Sequence, residues 1–363
     1  MDAISTAALS NYGLLGSLMG DSNTIQQRLD TLTQQASTGS VATTYAGLGS
    51  GASVSLDLNP EIATLQTWQA NINAATGTMG VAQTAMTQIQ QIASNLFSQL
   101  DGLQGTDGSE VDSIAASARD ALGQVANLLD TTDGNTYVFG GADSSNPPVP
   151  DPGDITSSGF YTQIATAVGN LGTAGADATA AATLNIASSD AAGTTPFSAY
   201  MSQPAATLQA EQPAVQTGQG QTTPIALLAS ANSAVPSIGS STTGSYMRDL
   251  MRALATVGSM TSAQQSDPGF QDLVQDTRTS LNGAIAAMAS DAGVLGNRQS
   301  ALTATQTELS DTQTALTTQL SGVQDVDMAA TMSKISLVQT QLQASYQMIE
   351  TVSGLSLAKF LPA

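Results

Sequence analysis

The sequence predicts a mainly α protein: an elongated antiparallel coiled-coil helical bundle from the N- and C-terminal segments, with a small β-rich or irregular inserted domain. Three observations carry this. Apolar residues near both ends recur at spacings of three and four, as in helices that bury one stripe against another helix. Nine of the twelve prolines lie between residues 137 and 245, which confines the helix breakers to the middle. Hydrophobic residues make up 41% of the 363, but aromatics only 4%. Apolar content that is mostly Ala, Leu, Val, Ile and Met suits helix-on-helix packing better than a thick globular core.

Near the N-terminus, Leu14, Leu18, Ile25, Leu29, Leu32 and Ala36 lie on one stripe, interrupted by Ser22 and ended by Thr38–Gly39. This predicts a terminal helix over about 5–38. Next, Leu65, Trp68, Ile72, Ala75, Met79, Ala82, Met86, Ile89, Ala93, Leu96 and Leu100 alternate three and four without a break. That is a coiled-coil seam sustained over five heptads, on a helix of about 60–100. Asn59–Pro60 supplies its start, with proline at the first helical position and Glu61 favoured by the dipole. Asp101–Gly102 stops it. A second helix, about 109–131, carries Val111, Ile114, Ala118, Ala121, Val125 and Leu128, with Asp133–Gly134 as its stop.

The middle, 137–245, holds short strand-like pieces at Thr136–Phe139, Gly159–Tyr161 and Leu184–Ile186, separated by Pro/Gly turns. The rival reading there is a disordered Ala/Gly/Thr loop. Beyond it, Leu281, Met288, Leu295, Leu302, Leu309, Leu316 and Val323 fall every seven residues. Their companion row, Ala284, Asp291, Arg298, Thr305, Thr312 and Gln319, is weaker. Such a seam needs a larger bundle, with Asp291 and Arg298 facing a partner or solvent. The last helix presents Met328, Met332, Ile335, Val338, Leu342, Tyr346, Ile349 and Val352, and ends at Ser353–Gly354. The chain thus divides into an N-terminal helical region (1–136), a variable insert (137–245) and a C-terminal helical region (246–363). Each end offers an apolar stripe that needs a partner, either the other end or a neighbouring subunit.

Composition also excludes chemistry. Histidine and cysteine are absent, which removes His-based acid–base catalysis, Ser–His–Asp and Cys–His nucleophiles, His/Cys zinc sites and disulfides. With 28 acidic and 8 basic residues the formal charge is −20, and no Lys or Arg occurs between Arg119 and Arg248. Such a chain repels nucleic acid and acidic membrane surfaces. The acidity reads as a solvated surface, with carboxylate-loop calcium binding as the rival. No run of apolar residues is long enough to span a membrane. The first thirty residues, with Arg28 as their one cation, do not read as a cleavable leader.

Few catalytic constellations survive. Asp325 and Asp327 could pair on a metal or a proton, but they precede the last helix and complement its dipole. Gly140–Gly141 lacks the further glycines and the lysine of a phosphate loop. Asp143, Asp151 and Asp154 do not have EF-hand spacing. Trp68 lies on the heptad seam, so packing accounts for it. A carboxylate-based hydrolase in the middle would have to draw on Asp143, Asp151, Asp154, Asp177, Asp190 or Glu211. No catalytic, cofactor or metal site is expected.

Several stretches resemble the bacterial flagellin family. Gln34–Gln35–Ala36–Ser37–Thr38–Gly39 resembles the end of the family's first helix. Val326–Asp327–Met328–Ala329, followed by Leu337, Gln339 and Leu342, resembles the start of its last helix. Asn135–Thr136–Tyr137–Val138–Phe139–Gly140–Gly141, with Pro147–Pro148 soon after, is similar to a segment of the hook–filament junction branch. So is the close, Leu355–Ser356–Leu357 with Phe360–Leu361. The likeness covers roughly 1–145 and 245–363. Val41–Leu58 departs from ordinary flagellins in having no arginine and no acidic pair.

The resemblance implies a structural flagellar subunit rather than an enzyme, most like the hook–filament junction protein, with filament flagellin as the alternative. It implies an extracellular place, export without a cleavable signal peptide through a type III apparatus, and an export chaperone. Partners would be copies of itself and its hook-side and filament-side axial neighbours. The assembly helices would carry Leu14, Leu18, Ile25, Leu29, Leu32, Met328, Met332, Ile335, Leu342 and Ile349. The bundle seam would run through Leu65, Trp68, Ile72, Met79, Met86, Ile89 and Leu96 on one side. Leu281, Met288, Leu295, Leu302, Leu309 and Leu316 would supply the other. Outside this class, a secreted coiled-coil adhesin or type III translocator would need an apolar membrane- or host-facing run, which the sequence lacks.

Overall fold

The computed structural model describes residues 2–103, 108–233 and 236–358, with side chains from residue 13 to 353 within those spans. Its helices are α1 (Asp2–Thr38), α2 (Gly51–Gly102), α3 (Gly108–Leu129), α4 (Gly159–Gly169), α5 (Leu171–Ala174), α6 (Ala176–Ala187), α7 (Ala205–Ala210), α8 (Tyr246–Gly258), α9 (Phe270–Gln324) and α10 (Met328–Ala358). Strands β1 (Thr132–Asp133) and β2 (Thr136–Tyr137) form one antiparallel pair, and β3 (Ala214–Gly218) and β4 (Gln221–Pro224) another. The protein is mainly α, with long helices packed on one another and little strand. The chain forms two compact units, residues 1–66 with 310–363 and residues 67–309.

In the first unit, α2 starts at Gly51, nine residues before the expected Asn59–Pro60, so Pro60 lies inside the helix. An interior proline removes one hydrogen bond and costs about 3 kcal/mol. Tertiary burial offsets it: Ser55 and Leu58 are buried, and Gln324 Nε2 donates to Ser55 Oγ at 2.5 Å. Polar side chains serve nearby carbonyls, Asn59 Nδ2 donating to Ser55 O and Thr64 Oγ1 to Pro60 O. At the other end, α10 runs past Ser353–Gly354 to Ala358. One glycine costs a helix only about 1 kcal/mol and does not by itself end it. Leu355 and Leu357 fall within that helix, while Phe360 and Leu361 lie outside the described residues.

The second unit has one continuous apolar core, running from Ile72 on α2 to Leu302 on α9. On α3 the buried face includes Ala115, Leu122, Ala126 and Leu129 beside Val111, Ile114, Ala118 and Val125, while Ala121 and Leu128 are only partly buried. This face is wider than the predicted two-row stripe because α3 packs on α8 and on the 3-10 turns at Pro152–Ser157 and Ser262–Ser266. A globular contact needs a broad face where a coiled coil needs a narrow seam.

At the centre lies α8, every residue of which is buried, Arg248, Asp249 and Arg252 included. Arg248 uses its whole fork. Its Nε donates to Ser230 O (3.1 Å), its Nη1 to Ala187 O (3.2 Å) and Ser189 O, and its Nη2 to Asp190 Oδ1 (2.6 Å). The guanidinium also stacks over Phe197. Asp249 accepts from Thr242 Oγ1 and Thr243 N, and burial raises its pKa. Arg252 Nη2 donates to Ser241 O and Oγ. On α9, Asp291 faces neither solvent nor another subunit. It is buried, accepting from Ser233 N (2.7 Å) and Tyr246 OH (3.1 Å).

Two strand-like pieces of the middle are helical. Gly159–Tyr161 opens α4, whose N-cap Ser158 accepts from Tyr161 N. Leu184–Ile186 ends α6, an Ala-rich segment of high helix propensity. At Gly159 an added Cβ would lie 1.7 Å from the Gly193 carbonyl oxygen. Gly159→Ala is therefore expected to destabilise the second unit by about 1–3 kcal/mol, as overpacking does, and urea unfolding checks this.

Asp130, just past α3, accepts from Val149 N (2.9 Å) and so ties down the proline run. Burial raises its pKa from 3.8 to about 6. Because the folded value lies above the unfolded one, its contribution to stability is full below about pH 3.8 and is lost as pH rises through about 6. Asp130→Asn is therefore expected to gain most relative to the parent at pH 7.5, with the gain shrinking toward pH 4.5. Paired thermal melts test this, and a gain that grows on acidification would refute it.

Candidate assembly surface

The predicted assembly residues lie on α1 and α10. Antiparallel pairing of Ser40 with Asp325 joins the end of α1 to the approach to α10, so the two helices run in opposite directions and pack along their lengths. On α10, Thr331, Val338 and Ser345 are buried, with Ile335 and Leu342 half-buried between them and Ile349 and Val352 half-buried beyond. On α1, Ser22 is buried, and Leu15, Leu18, Ile25, Leu29, Leu32 and Ala36 are half-buried. Both sets alternate three and four, giving heptad seams.

Ser22 therefore does not interrupt the stripe. It lies in it, because a small residue lets the helix backbones approach closely. The same reasoning moves the α10 seam away from its largest side chains. Met332 and Tyr346, each one residue past a buried Thr331 or Ser345, are exposed. The predicted assembly residues thus divide. Leu18, Ile25, Leu29, Leu32, Ile335, Leu342 and Ile349 line the intrachain seam, while Leu14 (49% exposed), Met328 and Met332 (57%) stand outside it. Met19, Leu337 (59%) and Met348 are also exposed. A helix pair with apolar side chains on two faces has satisfied only one of them.

The predicted bundle seam is buried for most of its length. In the second unit Ile72, Met79, Met86, Ile89 and Leu96 on α2 and Leu281, Met288, Leu295 and Leu302 on α9 are buried. Trp68 is half-buried and Leu309 packs against the edge of the core. In the first unit Leu65 is buried and Leu316 half-buried.

Five of the candidate carboxylates have structural partners. Asp327 Oδ1 accepts from Ala330 N at the start of α10. Ser321 Oγ donates to Asp325. Asp143 accepts from Asn146, Asp190 pairs with Arg248, and Glu211 accepts from Tyr200 OH. Among the described residues, no three carboxylates gather where a metal ion could sit. Gly140 pairs with Leu228 in a β-bridge, beside the buried Val138 and Phe139. No described helix is long and apolar enough to cross a membrane.

Comparison with known families matches residues 10–142 to the bacterial flagellin N-terminal helical region and residues 279–361 to the bacterial flagellin C-terminal helical region. The chain belongs to the bacterial flagellin family. A comparison with curated proteins returned no match. The two matched regions hold both seams: most of α1 with all of α2 and α3, and most of α9 with α10. This flagellin-family chain is a structural subunit of the bacterial flagellum, built from a family whose members self-assemble into an extracellular filament rather than catalyse a reaction.

Proposed function

We propose that this subunit joins the flagellar axis by docking the outer faces of α1 and α10 on neighbouring axial subunits, and that its place is the hook–filament junction. The exposed apolar side chains of α10, Met328, Met332 and Tyr346 on one flank of its seam and Leu337 and Met348 on the other, carry the docking with Leu14 and Met19 of α1. Each large apolar side chain buried there contributes about 1.5–3 kcal/mol. The same face is one that a type III export chaperone would shield before assembly. The assignment to the junction rests on the Asn135–Gly141 segment with Pro147–Pro148, and on the absence of arginine and an acidic pair from Val41–Leu58. Residues 137–245 would face outward.

Negative-stain microscopy of concentrated protein, together with labelled cells, tests both parts. A soluble monomer, with label confined to a short zone where hook meets filament, is expected. Long filaments or label along the whole flagellum would make it a filament flagellin instead. Absence from flagella would overturn the docking reading as well.

A further inference from the structure

The chain holds twelve methionines and no cysteine, so all of its oxidisable sulfur is thioether. The two compact units bury this sulfur differently. In residues 67–309, Met79, Met86, Met201, Met247, Met251, Met260 and Met288 lie in the core, none more than 2% exposed. In the other unit Met19 is 51% exposed, Met328 45%, Met332 57% and Met348 55%. Met1 lies outside the described residues.

A core methionine meets an oxidant only when the structure opens, whereas a half-exposed one is met in the folded chain. The α10 seam, from Thr331 through Val338 to Ser345, contains no methionine. The exposed sulfurs of α10 stand outside it, Met328 and Met332 on one flank and Met348 on the other. Oxidation there alters the outward faces and leaves both the seam and the core of residues 67–309 as they are. Each sulfoxide sets a polar oxygen where an apolar thioether stood. Buried against a neighbour without a donor, that oxygen opposes docking.

We propose that Met19, Met328, Met332 and Met348 form an oxidation site for peroxide-class oxidants, and that its modification prevents the free subunit from docking. In the step, the thioether sulfur gives an electron pair to one oxygen of hydrogen peroxide. The O–O bond breaks, an S=O bond forms and water leaves, so sulfur is oxidised and peroxide reduced by two electrons. The effect on docking rests on the role proposed above for the outer faces of α1 and α10; the selectivity among methionines does not. Once neighbours cover those faces the same sulfurs are shielded, so the vulnerable species is the subunit before assembly.

Full-length protein treated with dilute hydrogen peroxide, with its sulfoxides located by peptide mass spectrometry, tests the site. Sulfoxide at Met19, Met328, Met332 and Met348 is expected to accumulate at least about tenfold faster than at the core methionines. Helicity and the thermal melt of the treated protein should match those of the untreated. Its binding to axial structures isolated from cells lacking this chain should fall at least about tenfold. Methionine sulfoxide reductases of both epimer specificities should restore that binding. A variant carrying Met19→Leu, Met328→Leu, Met332→Leu and Met348→Leu keeps an apolar surface and a good helix former at each position, and should bind equally before and after peroxide. Comparable oxidation of core and exposed methionines, undiminished binding once the exposed ones are oxidised, or an equal loss in the leucine variant would overturn the proposal. Untreated protein that does not bind at all would overturn the docking reading, and the docking effect with it, while the sulfoxide map still decides the site.

Discussion

Removing residues 328–363 is expected to abolish incorporation into flagella while leaving the second unit folded. The deletion takes away α10 and with it the exposed apolar side chains Met328, Met332, Leu337, Tyr346 and Met348. It also uncovers the seam of α1, since Ile25, Leu29 and Leu32 lose the helix that half-buries them. If even four such side chains are buried on docking, their loss costs about 6–12 kcal/mol at ~1.5–3 kcal/mol each. Every 1.4 kcal/mol is about tenfold in affinity, so incorporation should become undetectable. The core from Ile72 to Leu302 contains no residue of α10 and should melt as before. Labelled cells and a thermal melt of the truncated chain give the two readouts. Normal incorporation would contradict the role assigned to α10. A narrower variant, Met332→Asp with Leu337→Asp, should keep the helix pair and still fail to join.

Replacing Arg248 with alanine is expected to destabilise the second unit by about 2–6 kcal/mol, the cost of leaving two buried carbonyls without a donor at ~1–3 kcal/mol each. The figure applies because the loss is mostly not the Asp190 charge, which is half exposed. It is the stranding of the Ser230 and Ala187 carbonyls, which accept from the guanidinium beneath the surface, together with the lost stack on Phe197. Arg248→Lys should recover little, since an ammonium cannot serve three directions from one plane. Urea unfolding measures both variants, and a loss below about 1 kcal/mol for alanine would show that the network is dispensable.

The parts of this fold that read directly from sequence are those where one physical requirement acts alone. The α2 seam is apolar at every third and fourth position from Leu65 to Leu100, and Ile72, Met79, Met86 and Ile89 are indeed buried. The stripe was harder to place on α10 because large apolar residues and seam positions are not the same set. The seam takes Thr331 and Ser345 for close approach, while Met332 and Tyr346 point away. Helix α8 carries a helical period, with Met247, Leu250, Met251, Leu254 and Val257 three and four apart, but its polar side, with Arg248, Asp249 and Arg252, is paired inside the core instead of facing solvent. The pieces at Gly159–Tyr161 and Leu184–Ile186 looked like strands because three-residue apolar runs carry no period. Capping by Ser158 and the alanines of α6 decided for helix.

The long stretch without lysine or arginine, from residue 120 to 247, has a practical consequence for anything that attacks the protein through cations. Proteases that cut after basic residues find no target across the whole insert, and at its far border Arg248 and Arg252 are buried. Their first cuts must fall elsewhere, at sites such as Arg28 on α1 and Lys334 on α10, both exposed in the free chain. Digestion would therefore shorten the terminal helices before touching the insert, and a subunit whose helices are covered by neighbours would present such enzymes with far fewer places to begin.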